Sequence, residues 1–256
     1  MSDALLACAG LRLTVPGREL CRGLSFAVRP GECWVLIGPN GAGKTTLLHT
    51  LAGLRRPAGG EVELAGSPID THAPRARALR VGLLLQDTVD AFPSTVFETA
   101  LAGRHPHLPR WRPETGQDRA LAHAALVAVG MADAAGRDVQ TLSGGERRRV
   151  ALAMLLAQDP DVMLLDEPTN HLDIAHELRT LELLARRARD GRHAVVMALH
   201  DLALATRVAT HAVLLGDAGV EAGPASTLLT APRLSALYGQ ALIAVEHPRG
   251  TAFLPA

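Results

Sequence analysis

The sequence predicts an α/β domain built on a parallel sheet that helices cover on both faces. Continuous apolar runs recur at residues 33–37, 162–165, 194–199 and 212–215, with helical patterns between them. Uninterrupted apolar strands that alternate with helices are typical of a buried parallel sheet. At 256 residues, the chain is long enough for one large domain with a well-packed core.

The N-terminal quarter differs from this pattern. Up to about residue 64, short apolar runs alternate with turn signals at positions 16–17, 30–31 and 59–60. Spacing of this kind predicts a small antiparallel sheet that flanks the parallel one.

The middle of the chain predicts an inserted helical subdomain over approximately residues 87–158. A buried strand is predicted at residues 81–86, and an Ala/Leu-rich helical pattern, broken by a stretch rich in Pro, Arg and His, follows it. Internal repeats and dividing linkers are absent from the sequence, so residues 1–256 are predicted to form a single domain.

Charge and composition exclude several classes of protein. The chain has 26 Lys and Arg against 26 Asp and Glu, so no field of one sign attracts nucleic acid, and we expect no nucleic-acid partner. Apolar runs fall short of the roughly 20 residues that span a bilayer. The start lacks a basic signal region, which predicts a cytoplasmic location. Cys8, Cys21 and Cys33 lack metal-ligand spacing and are expected to be structural thiols.

A glycine-rich segment between a predicted strand and a predicted helix indicates a phosphate site. Gly38, Gly43, Lys44 and Thr45 fit the pattern G-x-x-x-x-G-K-[ST], in which backbone N–H groups surround phosphate, Lys reaches the β/γ-phosphates and Thr holds Mg²⁺. This context favours a nucleotide site over a turn with a solvated lysine. The candidate nucleotide-binding residues are Gly38, Pro39, Asn40, Gly41, Ala42, Gly43, Lys44, Thr45 and Thr46.

Two carboxylates follow the buried strand at residues 162–165, at the end where ligands bind in open α/β sheets. Asp166 is predicted to bind Mg²⁺, and Glu167 to deprotonate the attacking water. A solvated acidic strand end is the alternative. The phosphate loop upstream favours the metal site, because Mg²⁺ in such sites takes a carboxylate from a second strand.

A second phosphate site is predicted at the motif Leu142 to Glu146. Ser143 is a good helix N-cap, and Gly144 and Gly145 expose backbone N–H groups at the positive end of the helix dipole. One ATP hardly needs two such sites. We therefore predict a head-to-tail homodimer in which each second site closes over the partner's γ-phosphate. A capped helix without ligand is the alternative.

These motifs, in this order, resemble the ATP-binding subunits of ATP-binding-cassette (ABC) transporters over essentially the whole chain. The resemblance implies a RecA-like parallel core with an antiparallel β-subdomain and an inserted helical subdomain, and an ATPase that uses ATP and Mg²⁺. It places Asp173 in a loop that crosses the dimer. It assigns catalysis to Gln86, Glu167 and His200, and Mg²⁺ binding to Thr45, Gln86 and Asp166. The other ten histidines are interpreted as structural.

Within the family, residues 15–18, 95–98, 103–107 and 170–173 resemble importer ATPases for iron-siderophores, haem and cobalamin, and residues 92–111 favour cobalamin. The resemblance implies integral-membrane permease subunits as partners, which hold the ATPase on the inner face of the membrane. A periplasmic or lipoprotein solute-binding protein acts on the far side. A permease helix is expected in a groove between Gln86 and residues 87–108, lined by Arg104, His105 and His107.

Two competing functions stay open at this point. One is a non-transport ABC ATPase that acts as a mechanical clamp in DNA repair or on ribosomes, although such proteins usually carry coiled-coil insertions or two cassettes. The other is a regulatory module that binds ATP without hydrolysis, which Glu167 and His200 disfavour.

Two residues depart from the family pattern. Arg148 replaces a common Gln just past the second phosphate motif and is expected to have little effect. Val15 replaces an aromatic residue that stacks on adenine in many members, and Arg18 or Arg22 could supply a guanidinium plane instead. A solvated surface arginine is the favoured alternative for each.

Overall fold

The strands form three sheets in the part of the chain that the computed structural model describes, which comprises residues 4–86, 93–109, 112–216, 219–248 and 250–256. The strands are β1 (Leu6–Val15), β2 (Arg18–Val28), β3 (Cys33–Ile37), β4 (Gly59–Leu64), β5 (Ser67–Pro68), β6 (Val81–Leu84), β7 (Val162–Asp166), β8 (Ala194–Ala198), β9 (His211–Gly216), β10 (Gly219–Pro224), β11 (Leu242–His247) and β12 (Gly250–Pro255). The helices are α1 (Lys44–Leu51), α2 (Pro74–Arg80), α3 (Val96–Ala102), α4 (Gly116–Ala128), α5 (Gly144–Gln158), α6 (Ile174–Arg189), α7 (Leu202–Val208), α8 (Ala225–Leu228) and α9 (Ala231–Tyr238).

The main sheet has the strand order β10-β9-β3-β8-β7-β6 across the described residues. Its five strands from β9 to β6 pair in parallel, and β10 adds an antiparallel edge. Every residue of β3, β7 and β8 is buried. The predicted parallel sheet is therefore confirmed, and the carboxyl ends of its strands meet at one edge.

The two faces of the central strand β3 feed two different hydrophobic clusters. Cys33, Val35 and Ile37 pack with the helices on one side. Trp34 and Leu36 pack on the other side against α1 and the second sheet, whose order is β2-β1-β4-β5. All its pairings are antiparallel, which confirms the predicted flanking sheet.

Helices α3, α4 and α5 lie between β6 and β7, in the stretch that was predicted to be helical. Each of the three begins with a capping box, formed by Thr95 with Glu98, Thr115 with Asp118, and Ser143 with Glu146. Such reciprocal bonds satisfy amides at the start of a helix. The extent of a separate subdomain over residues 87–158 stays a prediction, and residues 87–92 lie outside the described chain.

A buried ion pair fastens these helices together. Arg104 is 8% exposed, and its Nε donates to Asp118 Oδ1 at 3.0 Å. Its Nη1 donates to the carbonyl oxygen of Ala157 in α5 at 2.7 Å. The expectation that Arg104 lines an open groove for a permease helix is wrong, because its guanidinium is enclosed between α4 and α5.

The three cysteines are buried and free. Burial raises the pKa of the Cys8 and Cys33 thiols to about 12, so both are protonated and unreactive at neutral pH. This agrees with their prediction as structural thiols. Among the described helices, none combines the length and apolar character that crossing a membrane requires.

Candidate functional site

The loop from β3 to α1 depends on glycine for its packing as well as its backbone. Gly41 and Gly43 have φ values of +77° and +102°, which side-chain-bearing residues rarely adopt. A Cβ at Gly43 would lie 2.8 Å from Leu20 Cδ1, and a Cβ at Gly38 would collide with the carbonyl oxygen of Leu215. These contacts hold the loop against β2 and β9.

Lys44, the first residue of α1, folds back over this loop. Its Nζ donates to the carbonyl oxygens of Gly38 at 2.7 Å and Pro39 at 3.2 Å. Burial lowers the pKa of Lys44, while the nearby carboxylates of Glu167 and Asp166 act in the opposite direction. A cation beside the amino end of α1 suits an anionic ligand such as a phosphate.

Asp166 ends strand β7 and is 2% exposed. Its Oδ2 is buried and has no hydrogen-bond partner among the described residues. A buried carboxylate oxygen without a partner is costly unless a cation or water satisfies it. The residues present therefore fit a Mg²⁺ ion, since carboxylate and hydroxyl oxygens are its preferred ligands and Thr45 lines the cleft that Glu167, the residue after Asp166, also lines.

Three side chains hold the carboxylate of Glu167. Gln86 Nε2 donates to Oε2 at 3.2 Å, Asn170 Nδ2 donates to the same oxygen, and His200 Nε2 is hydrogen-bonded to Oε1. Gln86, Glu167 and His200 follow strands β6, β7 and β8, which are adjacent in the sheet. The structure thus brings all three predicted catalytic residues together.

Sequence analysis missed the contribution of Asn170. The chain turns after Glu167, and the Asn170 amide nitrogen donates to the Glu167 carbonyl oxygen at 3.2 Å. This turn returns the Asn170 side chain to the carboxylate. The available signal was the sequence Pro168-Thr169-Asn170, because Pro and Asn favour turns.

Several of these groups line one cleft of about 530 Å³, whereas the buried Asp166 and the side chain of Asn170 do not. Residues 40–46 form one wall, and Gln86, Glu167 and His200 form another. Val15, Arg18 and Leu20 complete the lining. This volume lies within the usual range of small-molecule sites.

The second predicted phosphate site, at Leu142 to Glu146, does not contribute to the lining of this cleft. Ser143 Oγ accepts from the Glu146 amide at 3.3 Å, and the Glu146 carboxylate accepts from the Ser143 amide at 2.8 Å. These bonds lower the pKa of Glu146, the Ser143 amide first and then Arg137. Ser143 and Gly144 are exposed. The amino end of α5 therefore faces away from the chain's own cleft, together with half-buried Gly145.

Asp173 belongs to the same surface. The segment before it packs on the glycines, since a Cβ at Gly145 would lie 2.8 Å from the His171 carbonyl oxygen. Asp173 caps α6 by accepting from the His176 amide at 2.8 Å, which lowers the pKa of its exposed carboxyl. Ser143 and Asp173 thus lie exposed on one surface, which the half-buried Gly145 joins through its contact with the His171 segment.

Of the two arginines considered for stacking on adenine, Arg18 lines the cleft beside Val15. Arg22 instead pairs with Glu19 at 3.0 Å on an exposed surface. Trp34 is buried as predicted, with its ring stacked on His211 at a centroid distance of 4.6 Å and tilted against Phe26 at 4.8 Å. Neither aromatic ring lies in the cleft lining.

The sequence pattern of the ABC transporter family matches residues 21–170, more than half of the chain. The chain belongs to the ABC transporter family. It is an ATP-binding subunit with the fold that the sequence predicted, and it carries the ATPase activity of that family.

Curated relatives of this ABC ATPase cover nearly its whole length. A hemin import ATP-binding protein from Nocardia farcinica is 44% identical over 91% of this chain and 80% of its own. A ferric enterobactin transport ATP-binding protein from Escherichia coli K12 is 37% identical over 97% and 93%. A cobalamin import ATP-binding protein from Halobacterium salinarum is 39% identical over 91% of this chain and 58% of its own.

A solved structure supports the same grouping. It shows a transporter assigned to the metal-chelate type of ABC transporter in an inward-facing conformation. One of its chains is 26% identical, covers 99% of this ABC ATPase over 98% of its own length, and superposes with a TM-score of 0.86. Another, a dimeric ATP-binding cassette with ADP and phosphate bound, has a TM-score of 0.74 at 23% identity and shows the fold alone.

Arg148, which was expected to have little effect, lies closer to the site than the sequence suggested. The side chain is 4% exposed and donates to main-chain carbonyl oxygens at the ends of β6 and β7, among them that of Glu167 at 2.8 Å. Because the helical pattern alone does not show which residues α5 faces, sequence analysis placed Arg148 beyond the site.

Proposed function

We propose that this ABC ATPase powers the import of an iron-siderophore, haem or cobalamin-type solute through a membrane permease. The observation that carries the proposal is whole-chain similarity to ATPases named for hemin, ferric enterobactin and cobalamin uptake. The preference for cobalamin from residues 92–111 stays a prediction, because relatives of all three kinds are similar and several of these residues lie outside the described chain.

The cleft provides what ATP binding requires. Residues 40–46 offer backbone amides to the phosphates, and Lys44 offers a cation beside them. Lys44 exchanges its bonds to the carbonyls of Gly38 and Pro39 for bonds to phosphate oxygens. The amino end of α1 adds its favourable dipole to the same place.

A bound Mg²⁺ supplies charge neutralisation to the phosphates, and Thr45, Asp166 and Gln86 would hold it. The residues of the chain perform the proton transfer. Glu167 accepts the proton of the attacking water, and Gln86 and His200 fix its carboxylate from either side. The γ-phosphate leaves ADP as that water attacks.

The exposed surface of Ser143, Gly144, Gly145 and Asp173 is the partner-facing part of the site. A single chain cannot present this surface to its own cleft, since neither segment contributes to the lining. In a head-to-tail homodimer it lies over the nucleotide of the second copy. Closure around two ATP molecules then moves the permease subunits, and hydrolysis reopens the pair.

Geometry disfavours the mechanical-clamp alternative. The longest helix in the described chain is α6, with 16 residues, which is far shorter than a coiled-coil arm. The alternative of a non-hydrolysing module is also disfavoured, because Glu167 lies in the cleft with three side chains that orient it.

The proposal is tested by uptake in reconstituted vesicles. The ATPase is co-expressed with a permease of the iron-siderophore, haem or cobalamin import class, and the complex is placed in vesicles with its ATP-binding side outward. Hemin, a ferric siderophore and cobalamin are then supplied with a solute-binding protein inside the vesicles. We expect one of the three to move to the ATPase side only with ATP, and not with Glu167→Gln. ATP-driven movement in the opposite direction, or of none of the three, would contradict import of this class.

A further inference from the structure

Arg148 lies in the second turn of α5, behind the catalytic cleft. Its guanidinium is within hydrogen-bond reach of five main-chain carbonyl oxygens, which belong to Leu85, Gln86, Asp166, Glu167 and Pro168. The distances are 3.2 Å to Gln86 and 2.8 Å to Glu167. One side chain thus bonds the ends of two adjacent parallel strands, β6 and β7, immediately behind two catalytic side chains.

These bonds explain why the site tolerates a buried positive charge. Removing a guanidinium from water is costly unless its N–H groups find acceptors. Carbonyl groups just past the end of a strand have left the sheet ladder and are available to accept. A guanidinium offers five N–H donors in a planar fork, whereas the side-chain amide of Gln offers two and the ammonium of Lys has no fork. Arg148 therefore makes a connection that the commoner Gln cannot reproduce in full.

The backbone of Glu167 has a second need for this support. Its φ is +49°, a left-handed conformation that residues other than Gly rarely adopt. Such a conformation persists only where the surroundings fix it. Arg148 donates hydrogen bonds to the carbonyl oxygen of Asp166, the preceding residue, and to that of Glu167 itself. These bonds fix the peptide that directs the Glu167 carboxylate towards Gln86 and His200.

We propose that Arg148 is a positioning residue for hydrolysis and that it links the two nucleotide sites of the dimer. Helix α5 begins at Ser143, which acts on the nucleotide of the second copy, and Arg148 carries the position of that helix to Gln86 and Glu167 of its own site. A shift of α5 at one nucleotide then moves the general base at the other. This link rests on the proposed head-to-tail dimer.

The test compares Arg148→Gln, Arg148→Lys and Arg148→Met with the parent enzyme under steady-state ATP hydrolysis. Misplacing a general base by about 1 Å can lower the rate about 100-fold. We expect kcat to fall about 10- to 100-fold for Met and less for Lys and Gln, with KM for ATP within about twofold, because the phosphate loop is untouched. The pH profile of kcat should also differ from that of the parent enzyme. The Hill coefficient for ATP should fall towards one.

Arg147→Met is the matched control. Arg147 is the preceding residue on the same helix, is exposed, and donates to the Gln140 carbonyl oxygen at 3.3 Å, away from the cleft. It should leave kcat, the pH profile and the Hill coefficient unchanged. Thermal unfolding of every variant identifies loss of fold, and Arg148→Gln keeps the test valid if Arg148→Met does not fold.

The outcomes separate this inference from the proposed function. Folded Arg148 variants with parental kcat and pH profile would overturn the positioning role while leaving the ATPase intact. A lower kcat with an unchanged Hill coefficient would overturn the link between the sites. A parent enzyme without ATP turnover would overturn the proposed function itself, and the role of Arg148 with it.

Discussion

His200 Nε2 and Glu167 Oε1 are hydrogen-bonded across the ends of two adjacent strands. The last residues of those strands, Asp166 in β7 and Ala198 in β8, are partners in the parallel register. Glu167 follows its strand by one residue and His200 by two, so the register alone brings the two side chains together. The sheet thus positions the proposed general base and its neighbour before any ligand is considered.

Replacing Glu167 by Gln should stop turnover and retain ATP. The amide keeps the size of the side chain but cannot accept a proton, so we expect kcat to fall at least about 100-fold. Because bound ATP persists, the protein should accumulate as a closed dimer. Radiolabelled-ATP binding and size-exclusion chromatography measure the two effects.

The matched variant for binding is Lys44→Ala. It removes the cation beside the phosphates, so nucleotide affinity should be lost, and no dimer should form with ATP. Binding is measured by equilibrium dialysis at constant salt, since charge interactions are screened. Equal affinity and equal turnover in the two variants would refute the assignment of both residues.

Reversing the charge of Arg104 should destabilise the free subunit. Arg104→Glu places a second carboxylate beside buried Asp118, and breaking a buried pair typically costs about 3–5 kcal/mol. Urea unfolding should show this loss, with lower hydrolysis near the transition. Arg56→Glu is the control, because Arg56 is 87% exposed, lies 3.7 Å from Asp70, and should change stability by less than about 1 kcal/mol. Equal stabilities for the two variants would contradict the enclosed position of Arg104.

The same ion pair predicts a dependence of stability on pH. Hydrogen bonds from the Thr115 hydroxyl and amide, and then from Arg104, lower the pKa of Asp118 to about 2. The unfolded chain takes up this proton first, near pH 4. The contribution of Asp118 is therefore complete above about pH 4 and is lost as pH falls towards 2.

The comparison for that effect is Asp118→Asn, which does not titrate. Chemical unfolding of both proteins is measured between pH 5 and pH 2.5, and the lower limit lies within about half a unit of the pKa of Asp118. The free energies of unfolding of the two proteins should converge as pH falls. A constant difference across this range would show that Asp118 is not held ionised by its partners.

Base recognition should be weak in the parent protein. Val15 offers no stacking surface, so phosphates dominate affinity, and GTP should support hydrolysis within about tenfold of ATP. Stacking on an aromatic contributes about 1–3 kcal/mol in nucleic-acid sites, so Val15→Tyr should tighten ATP by about 1 kcal/mol, or about fivefold. Calorimetric titration measures the affinities for ATP and GTP, and steady-state assays measure the hydrolysis of each. A hundredfold difference between ATP and GTP affinities in the parent would show that another group reads the base.

Arg18 should contribute the remaining contact with the base. Its position in the cleft allows a guanidinium plane to lie on the adenine, a contact that contributes about 0.5–2 kcal/mol. Arg18→Ala should weaken ATP and GTP equally, since both bases present a π-face. Arg22→Ala, on the exposed surface beside Glu19, should leave both affinities unchanged. Equal effects of the two substitutions would exclude this role.

The buried strands were predictable because their residues are apolar on both faces, as the continuous apolar runs at residues 33–37 and 162–165 show. The phosphate loop was predictable for a related reason, since its glycines and lysine are local in sequence. Contacts between elements that are distant in sequence were not predictable in this way. Arg104 finds Asp118 on a different helix, and Arg148 finds Glu167 through the packing of α5 on the sheet. Neither direction can be read from a helical pattern, which does not show what a helix packs against.

The central claim, that each site is shared between two chains, is tested most directly by mixing two inactive variants. Ser143→Arg spoils the surface that covers the partner's nucleotide, and Glu167→Gln spoils the base of its own site. Each alone should bind ATP without turnover. A mixed dimer contains one intact site, formed by Glu167 of the first variant and Ser143 of the second. In an equimolar mixture, single-turnover hydrolysis should therefore recover to about a quarter of the parental amount, because half of the dimers are mixed and half of their sites are complete. A mixture as inactive as its components, or a Ser143→Arg chain that hydrolyses ATP at the parental rate, would contradict the shared site.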